Sequence, residues 1–549
     1  MLVGPRLFSY SHRPPVLTAG FPSSIPDSVQ LGTDLPNATL LAQELEQAKE
    51  SCPNGIAASP EKRGLQKADT ALAQQAGLVA SGPAANAVAA QQSEFRRGVC
   101  PYLATMGKVE QGVLEPEAVG KLEFASSLIR NHGNAAVLFE EMHTAHGSTF
   151  QVQGASGPIL FDTRPETVEQ LLVRTEDPRN PPLFQKSAVA SHGMAGLFGT
   201  DNVFLNDGPG WKLSRQAVMP YFSSKHVHTD ERVAAIDAIV GRHLDRLGER
   251  VGPGAVVDLQ EVMEKTTLDV ALNHIFSADL TPARLDEIHA AFAVAMQASA
   301  KETMLPGSSS RADESARARV KQAYSTLESF ADELIAGRRS QGVGQRDALD
   351  GLLSMRHPDT GLGPSDSQLR HEILTLMLAG HETTASLLGW TLCELARNPE
   401  GQAQARAEIE REIGSAEPGF RSLKGLQGVH DAWFQSAVDH TPSFLIARQA
   451  VNDTLVGPEG AQVEVKKGTT ILASIRHANQ TRSASGSTKV FSFGGGPRMC
   501  IGQMLARLEA ELVMTRFLQR FEVSAQGPLQ TASGLSAHPH DARVEVKPR

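Results

Sequence analysis

The chain has 549 residues, a formal net charge of −9, 41% hydrophobic residues and 21% charged residues. This length predicts one large domain with additional material, or a few smaller ones, and the composition is ordinary for a globular protein. The acidic charge argues against a nucleic-acid binder. The four cysteines form no CxxC pair, which argues against a disulfide framework and a cysteine-rich zinc site; they are Cys52, Cys100, Cys393 and Cys500.

No stretch of about 18 apolar residues occurs, so we predict no transmembrane anchor and a cytoplasmic protein. Arg6 and Arg13 precede the first acidic residue, Asp27, which faintly resembles an organelle transit peptide, although prolines interrupt the stretch. Residues 1–115 alternate between Pro/Ser-rich and Ala/Gln-rich sequence and predict a mostly disordered or loosely helical extension. Residues 116–549 predict a single large domain.

Within this domain, VGKLEFASSLIRNHGNAAVLFEEMHTAHG predicts an amphipathic helix, STFQVQGASGPILFD a hairpin, and RPETVEQLLV another helix. Helical segments dominate residues 211–435. Strand patterns return at ARQAVNDTLVG, AQVEVKKG and TTILAS, before a long helix over 502–519. The expected fold class is mainly α with small β-sheets (α+β).

The segment RHEILTLMLAGHETTASLLGWTLCELARN is apolar nearly all round, which predicts a helix buried inside a large protein. Its centre carries Gly380, Glu382 and Thr383, where a buried helix would favour Leu or Ala. A buried carboxylate is costly unless it is paired or protonated, and Thr can bond back to a carbonyl one turn earlier. A satisfied polar cluster at a kink would explain this. We favour a local opening in which an acid and an alcohol relay protons.

The stretch FSFGGGPRMCIG places Cys500 immediately before the last long helix. A phosphate loop is disfavoured because the glycines are followed by Pro497, which lacks an N–H donor, and no GK[ST] is present. Gly494 to Gly496 allow close approach to something flat or bulky. The N–H groups at the helix start would stabilise a thiolate. A thiolate against a planar cofactor is an axial ligand of haem iron.

These residues resemble the haem-binding signature of the cytochrome P450 family, FxxGxRxCxG. AGHETT at 379–384 is similar to the family's oxygen-activating helix motif, WKLSR at 211–215 resembles its WxxxR, and IARQA resembles the segment with a further arginine. The resemblance covers residues from about 120 to 549. The signature positions are Phe493, Gly496, Arg498, Cys500 and Gly502.

The resemblance implies haem b ligated by Cys500, with propionates held by Trp211, Arg215, Arg448 and Arg498. Gly380 would leave room for dioxygen, while Glu382 and Thr383 would steer protons to it, so that one oxygen atom enters a C–H bond of an apolar substrate. The chain shows no flavin or nicotinamide fingerprint, so electrons would come from an external ferredoxin or flavoprotein reductase. Substrate-facing candidates are Met194, Leu197, Phe198, Phe292 and Met296.

One family motif is broken. In FQSAVDHTPSF, Gln435 stands for the Glu and Val438 for the Arg of the family's ExxR, and only ANQTRSASGSTKV separates His477 from Phe491, so the usual meander is missing. With all three ionic partners lost together, no buried charge would be stranded. The loss leaves open a non-catalytic relative that binds haem or another apolar ligand. A sequence that lacks residues, or a purely structural helical protein, is a further alternative.

Overall fold

The computed structural model describes residues 109–549 except 111–112, 132, 155–156, 177–180, 305–306, 345 and 488. Almost all of the predicted extension over 1–115 therefore lies outside the described residues and stays a prediction. Described residues up to Ala525 and from Leu529 onward form one compact unit. Among the described residues, no helix is both long and apolar enough to cross a membrane.

The helices of the described part are numbered in chain order. They are α1 Lys121–Arg130, α2 Ala135–His146, α3 Pro165–Val173, α4 Ala188–Phe198, α5 Gly208–Val218, α6 Ser224–Val227, α7 Asp230–Arg250, α8 Leu259–Phe276, α9 Pro282–Met304, α10 Ser308–Arg311, α11 Glu314–Gln341, α12 Ala348–Leu353, α13 Asp366–Leu395, α14 Pro399–Glu412, α15 Phe420–Leu423, α16 Gln427–Asp439, α17 Ile475–Ala484 and α18 Gln503–Arg520. Short 3-10 turns cover Met219–Phe222 and Gly496–Arg498.

The strands are short and form small sheets. They are β1 Val109–Glu110, β2 Val113–Leu114, β3 Glu117–Val119, β4 Thr149–Gly154, β5 Gly157–Asp162, β6 Phe184–Lys186, β7 Val256–Asp258, β8 Leu445–Ala450, β9 Thr454–Val456, β10 Val463–Val465, β11 Thr470–Ser474, β12 Phe521–Ser524, β13 Gln530–Ser533, β14 Ala537–His540 and β15 Arg543–Pro548.

The largest sheet has the order β3-β4-β5-β11-β8-β6, with β5 and β11 parallel and β8 antiparallel to both of its neighbours. A second sheet has the order β12-β15-β7, and the pairs β1-β2, β9-β10 and β13-β14 stand alone. A distinct apolar cluster joins α3 to the large sheet. Helix α3 thereby provides a firm support beside the cysteine loop.

The predicted buried helix is α13, and it is the axis of the main apolar cluster. Its side chains are buried on every face over most of its length, as expected for a helix enclosed by others. It packs most extensively on α8, and also contacts α4, α11, α16, α18 and the strand β14. These contacts bring the centre of α13, the cysteine helix α18 and the C-terminal hairpin β13-β14 into one region.

Most predicted elements are confirmed, including the hairpin β4-β5, helix α3, strands β8 to β11 and the long C-terminal helix. The single amphipathic helix predicted over 119–147 is wrong. Two helices, α1 and α2, replace it. Gly133 has a φ of +77°, a left-handed value that ends the first helix. The Asn134 side chain then accepts the N–H of Val137 and caps the second helix.

Candidate functional site

The cysteine loop, residues 491–502, packs against the C-terminal end of α3. Gly496 has a φ of +62°, and a Cβ there would lie 2.6 Å from the carbonyl oxygen of Leu172 and 3.0 Å from Cα of Val173. Both the backbone conformation and the space therefore require glycine. The close approach expected at Gly494–Gly496 is thus made to the protein itself. The N–H of Cys500 donates to the carbonyl of Phe493 at 2.9 Å and closes the loop.

Cys500 lies just before α18, as the sequence predicts, and it is exposed. The N–H groups of Gly502 and Gln503 donate to its sulfur, and the charge of Arg215 lies nearby. The sulfur is accessible on one side, but desolvation by the protein atoms crowded around the rest of it outweighs these three effects and raises the pKa of the Cys500 thiol. The N–H groups at the start of α18 act in the direction that the sequence predicts, since both favour the thiolate, and the thiolate itself stays a prediction.

Phe493 and Gly502 flank the cysteine. Phe493 is half-buried with the guanidinium of Arg507 5.7 Å from its ring. Gly502 is the N-cap residue of α18, and a Cβ there would meet nothing within 4 Å. The space that a side chain at position 502 would take is therefore open.

Arg498 is buried and crosses from the loop to the segment before α5. Its Nη2 donates to Glu176 at 3.0 Å, to Asp207 at 2.7 Å and to the carbonyl of Asn206 at 2.6 Å. Its guanidinium lies 4.6 Å from the ring of buried Trp211. Its Nε is buried and, within the described residues, has no hydrogen-bond partner. A buried donor of this kind favours an acceptor supplied from outside the protein.

Arg448 and Lys186 join Arg498 in a cationic cluster. Arg448 is buried on β8, where its Nε donates to Thr175 at 3.1 Å. Burial, followed by the charge of Arg498, lowers the pKa of Arg448 to about 10. Burial also lowers the pKa of Lys186, with both arginines acting in the same direction. Three cations thus share two carboxylates, those of Glu176 and Asp207, which suits an additional anionic group.

Lys186 and its carboxylate neighbours were missed by the sequence interpretation. Lys186 belongs to the short strand β6, 312 residues before Arg498 in the numbering, and only the pairing of β6 with β8 places it beside Arg448. A lysine in a short polar stretch gives no signal of its own. The register that places Lys186 opposite Arg448 depends on how the strands pair in the folded protein, which the sequence does not show.

Arg215 and Trp211 lie one turn apart on α5, as predicted. The Nη2 of Arg215 donates to the carbonyl of Met499 at 2.7 Å, directly before Cys500. Its guanidinium lies 5.7 Å from the ring of Trp211, so this indole has arginines from two elements beside it. The cation–π contacts orient both guanidinium groups.

The centre of α13 opens on one side. Ala379 is exposed although it lies in the middle of a buried helix, and Thr383, one turn later, is on the same side. The hydroxyl of Thr383 donates to the carbonyl of Ala379 at 3.0 Å, which confirms the predicted back-bonding. The exposure of Ala379 shows that this side of α13 is not covered by the described residues. Ala379 was not singled out in the sequence because alanine is normal in a helix.

Glu382 turns away from Thr383 and contacts the C-terminal hairpin. Its Oε1 accepts the Ser536 hydroxyl at 2.8 Å and the Ser536 N–H at 3.2 Å. Ser536 also lies 3.1 Å from the hydroxyl of Ser386. Burial, opposed by the Ser536 bonds and aided by the charge of Glu264, raises the pKa of Glu382 to about 7. The carboxyl therefore titrates near neutral pH, as a proton donor requires.

Gly380 lies against α8. A Cβ on Gly380 would lie 3.1 Å from Cβ of Ala271 and 3.1 Å from Cδ1 of Ile275, both on α8. The missing side chain therefore allows α8 and α13 to approach closely. Making room for dioxygen, the role inferred from the resemblance, stays a prediction.

Helix α16 lacks the Glu and Arg of the family motif, as predicted, and is joined to α13 by other residues. The two aligned residues are neutral: Gln435 is exposed and Val438 is buried. Residues close to them in the chain make polar contacts with α13. Ser436 donates to Glu394 at the end of α13, and Nε2 of His440 lies 2.7 Å from the same carboxylate. The His440 ring stacks on Trp390 with centroids 3.8 Å apart. A different set of residues thus ties α16 to α13.

The comparisons agree with this geometry. The family model for Cytochrome P450 matches residues 120–483 and 475–544. The chain belongs to the cytochrome P450 family. Its members are haem-thiolate monooxygenases, and haem b is the cofactor of the chain. A solved cytochrome P450DA heme domain shares the fold, with a TM-score of 0.65 at 24% identity over 77% of this chain and 95% of that one.

Three curated relatives are similar over most of this P450 domain. Cyclooctat-9-en-7-ol 5-monooxygenase of Streptomyces melanosporofaciens is 26% identical over 69% of this chain and 83% of its own length. The cytochrome P450 monooxygenase himC of Aspergillus japonicus is 29% identical over 61% and 65%. A bifunctional cytochrome P450/NADPH--P450 reductase of Bacillus cereus is 25% identical over 81% of this chain, which spans 43% of that protein.

The described residues fit haem. An exposed sulfur at a helix start matches a thiolate ligand, and the surplus cations with the unpartnered Nε of Arg498 match two propionates. The exposed face of α13 at Ala379 and Thr383 supplies the open side on which a small molecule can sit. When bound, haem supplies the iron at which dioxygen is reduced. The protein supplies the ligand, the orientation and the protons.

Proposed function

We propose that Cys500 is the axial ligand of haem b in this P450. The observation that carries the proposal is the exposed sulfur with the N–H groups of Gly502 and Gln503 directed at it. Such N–H bonds withdraw charge from a thiolate and tune its ligand strength. Arg498, Arg448, Arg215 and Trp211 hold the propionates, and Lys186 adds a further charge-assisted donor.

Glu382 and Thr383 supply protons in this proposal. Glu382 holds a proton on its carboxyl near neutral pH, and Ser536 fixes the direction in which that carboxyl points. The Thr383 hydroxyl lies on the open side of α13 and can donate its proton to a group on that side when its bond to Ala379 is released. Proton transfer by positioned groups of matched pKa contributes roughly 10²–10⁴-fold to a rate.

We propose an apolar substrate such as a lipid, a terpenoid or a polyketide-like molecule. Met194 and Met296 are half-buried and offer adaptable apolar surface, whereas Leu197, Phe198 and Phe292 are buried in the core. The ring centroids of Phe292 and of His381 on α13 lie 5.1 Å apart in an edge-to-face arrangement. The Streptomyces relative, named for the 5-monooxygenation of cyclooctat-9-en-7-ol, agrees with this substrate class.

Electrons reach the haem from a separate ferredoxin or flavoprotein reductase in this proposal. The sequence of 549 residues carries no flavin or nicotinamide fingerprint. The Bacillus relative joins a reductase to its P450 in one protein, and this chain matches less than half of it. A cytoplasmic location rests on the sequence alone and stays a prediction.

The test is the difference spectrum of the dithionite-reduced protein with carbon monoxide. We expect a strongly red-shifted Soret band in the wild type and its loss in Cys500→Ala. Cys393→Ala is the matched control, because Cys393 is buried in the core and burial raises its pKa to about 12. Folded wild-type protein without haem absorbance, or a variant at position 500 that keeps the band, would overturn the proposal.

A further inference from the structure

Asn479 lies on α17 between the end of α16 and the start of the cysteine loop. Its side chain is fully buried, at 0% exposure. Helix α17 occupies the short segment from which the family's meander is missing. A buried amide must find hydrogen-bond partners or lose stability, so the partners of Asn479 define what it does.

Every polar atom of the Asn479 side chain is used. Oδ1 accepts the N–H of Phe491 at 2.6 Å. Nδ2 donates to Oγ1 of Thr441 at 3.0 Å and to Oγ of Ser492 at 3.0 Å. One side chain thereby joins Thr441, the second residue after α16, to the first two residues of the cysteine loop.

The two hydroxyl groups cannot take over this role. The hydroxyls of Thr441 and Ser492 donate to the same acceptor, the carbonyl of Ala437, at 2.9 Å and 2.7 Å. Their hydrogens are committed, so only a donor can satisfy both oxygens from the side of α17. The geometry therefore selects an amide at position 479 and disfavours a carboxylate of the same shape.

The fixed start of the loop sets the rest of its path. The N–H of Gly494 donates to the carbonyl of Phe491 at 2.7 Å, and the N–H of Cys500 donates to the carbonyl of Phe493 at 2.9 Å. The backbone from Asn479 to Cys500 is thus linked by a short series of hydrogen bonds. A shift at Phe491 would be passed on to the sulfur.

We propose that Asn479 is a positioning residue for the Cys500 thiolate, doing by a buried amide what a longer meander would otherwise do. The inference rests on Cys500 as the haem ligand proposed above. Asn479 acts on the cofactor only through the loop. Its loss should change the state of the iron–sulfur bond in folded protein, beyond any loss of overall stability.

The experiment compares Asn479→Asp and Asn479→Leu with Gln480→Ala. Gln480 is the matched control, because it lies on the same helix, is exposed, and donates to a backbone carbonyl of Asp439 at 3.0 Å. In folded, haem-loaded protein, the fraction with the red-shifted carbon monoxide band should fall roughly twofold or more in both Asn479 variants. Gln480→Ala should keep the wild-type fraction.

Hydrogen exchange in haem-free protein gives a second readout. In Asn479→Leu the Phe491 N–H has lost its acceptor, so it should exchange roughly tenfold faster or more, with core amides of α13 unchanged. Wild-type band fractions in folded Asn479 variants would overturn the proposal. If Asn479→Leu does not fold, Ser492→Ala replaces it, because this variant removes one acceptor of the Asn479 amide. A wild-type band fraction in folded Ser492→Ala would then overturn the proposal. A wild type without the band would instead refute the haem ligand itself.

Discussion

Glu382 and Thr383 are adjacent in the chain, yet their side chains make separate contacts. Thr383 bonds within α13, and Glu382 bonds to Ser536, 154 residues later. The sequence indicates that an acid and an alcohol lie together at the centre of a buried helix. It could not indicate Ser536, because a serine in a C-terminal hairpin has no pattern that assigns it to a carboxyl on another element.

Glu382 should make stability depend on pH. Its pKa is raised from 4.5 to about 7, so the folded state keeps a proton that the unfolded state loses as the pH rises through this window. Stability is therefore highest below the unfolded pKa and falls until the folded carboxyl ionises. Relative to Glu382→Gln, the wild-type free energy of unfolding should fall by roughly 2–3 kcal/mol between about pH 4.5 and about pH 7.5.

Urea unfolding of both proteins across this pH range measures the difference directly. Thr383→Ala is the control, since it leaves the carboxyl and its Ser536 bonds in place and should keep the wild-type slope. A difference between wild type and Glu382→Gln that is flat with pH would contradict a carboxyl protonated by burial.

At the scale of elements, the cysteine loop is shaped by α3 as much as by α18. The glycine-rich sequence predicts close approach to something flat or bulky. The structure shows that Gly496 makes a close approach to Leu172, and an approach of the loop to a cofactor stays a prediction. Residues 172 and 496 are far apart in sequence, and only the packing of α3 against the 3-10 turn Gly496–Arg498 joins them. Backbone contacts of this kind leave no trace in composition or periodicity.

Gly496→Ala should therefore damage the loop. The left-handed φ of +62° and the 2.6 Å approach to Leu172 act together. We expect a loss of about 2–4 kcal/mol in the free energy of unfolding, from backbone strain and overpacking. Thermal unfolding and the carbon monoxide spectrum measure it.

Gly495→Ala is the matched control. Its backbone is extended, with a φ of −173°, and its added Cβ would meet Leu172 Cδ1 at an ordinary 3.5 Å. Equal losses for the two variants would show that position 496 has no special requirement for glycine.

The end of α16 shows a limit of motif comparison. The sequence correctly indicates that the Glu and Arg of the family motif are absent, but not that Glu394, His440 and Ser436 form a new link there. Ser436 and His440 lie within two residues of the aligned positions, and Glu394 is on α13. A contact between elements can be replaced by other residues, whereas a motif is tied to fixed positions.

At the scale of the molecule, the main features of the fold were predictable. The apolar helix α13, the hairpin β4-β5 and the long helix α18 each have a strong periodic signal. The order of the six-stranded sheet was not predictable, because it pairs strands about 300 residues apart, such as β5 with β11. The pairing of β6 with β8 in the same sheet places Arg448 beside Lys186 and so completes the cationic cluster.

The position of Trp211 between Arg498 and Arg215 has an optical consequence. The chain has three tryptophans, and replacing Trp390 and Trp433 by Phe leaves the emission of Trp211 alone. An indole packed against both arginines beside Cys500 lies close to where a porphyrin would absorb its emitted light. Titrating haem into this variant should therefore quench the fluorescence almost completely, in proportion to loading. Undiminished emission at full loading would place the porphyrin elsewhere. Trp211 can therefore serve as an intrinsic fluorescent probe of haem binding.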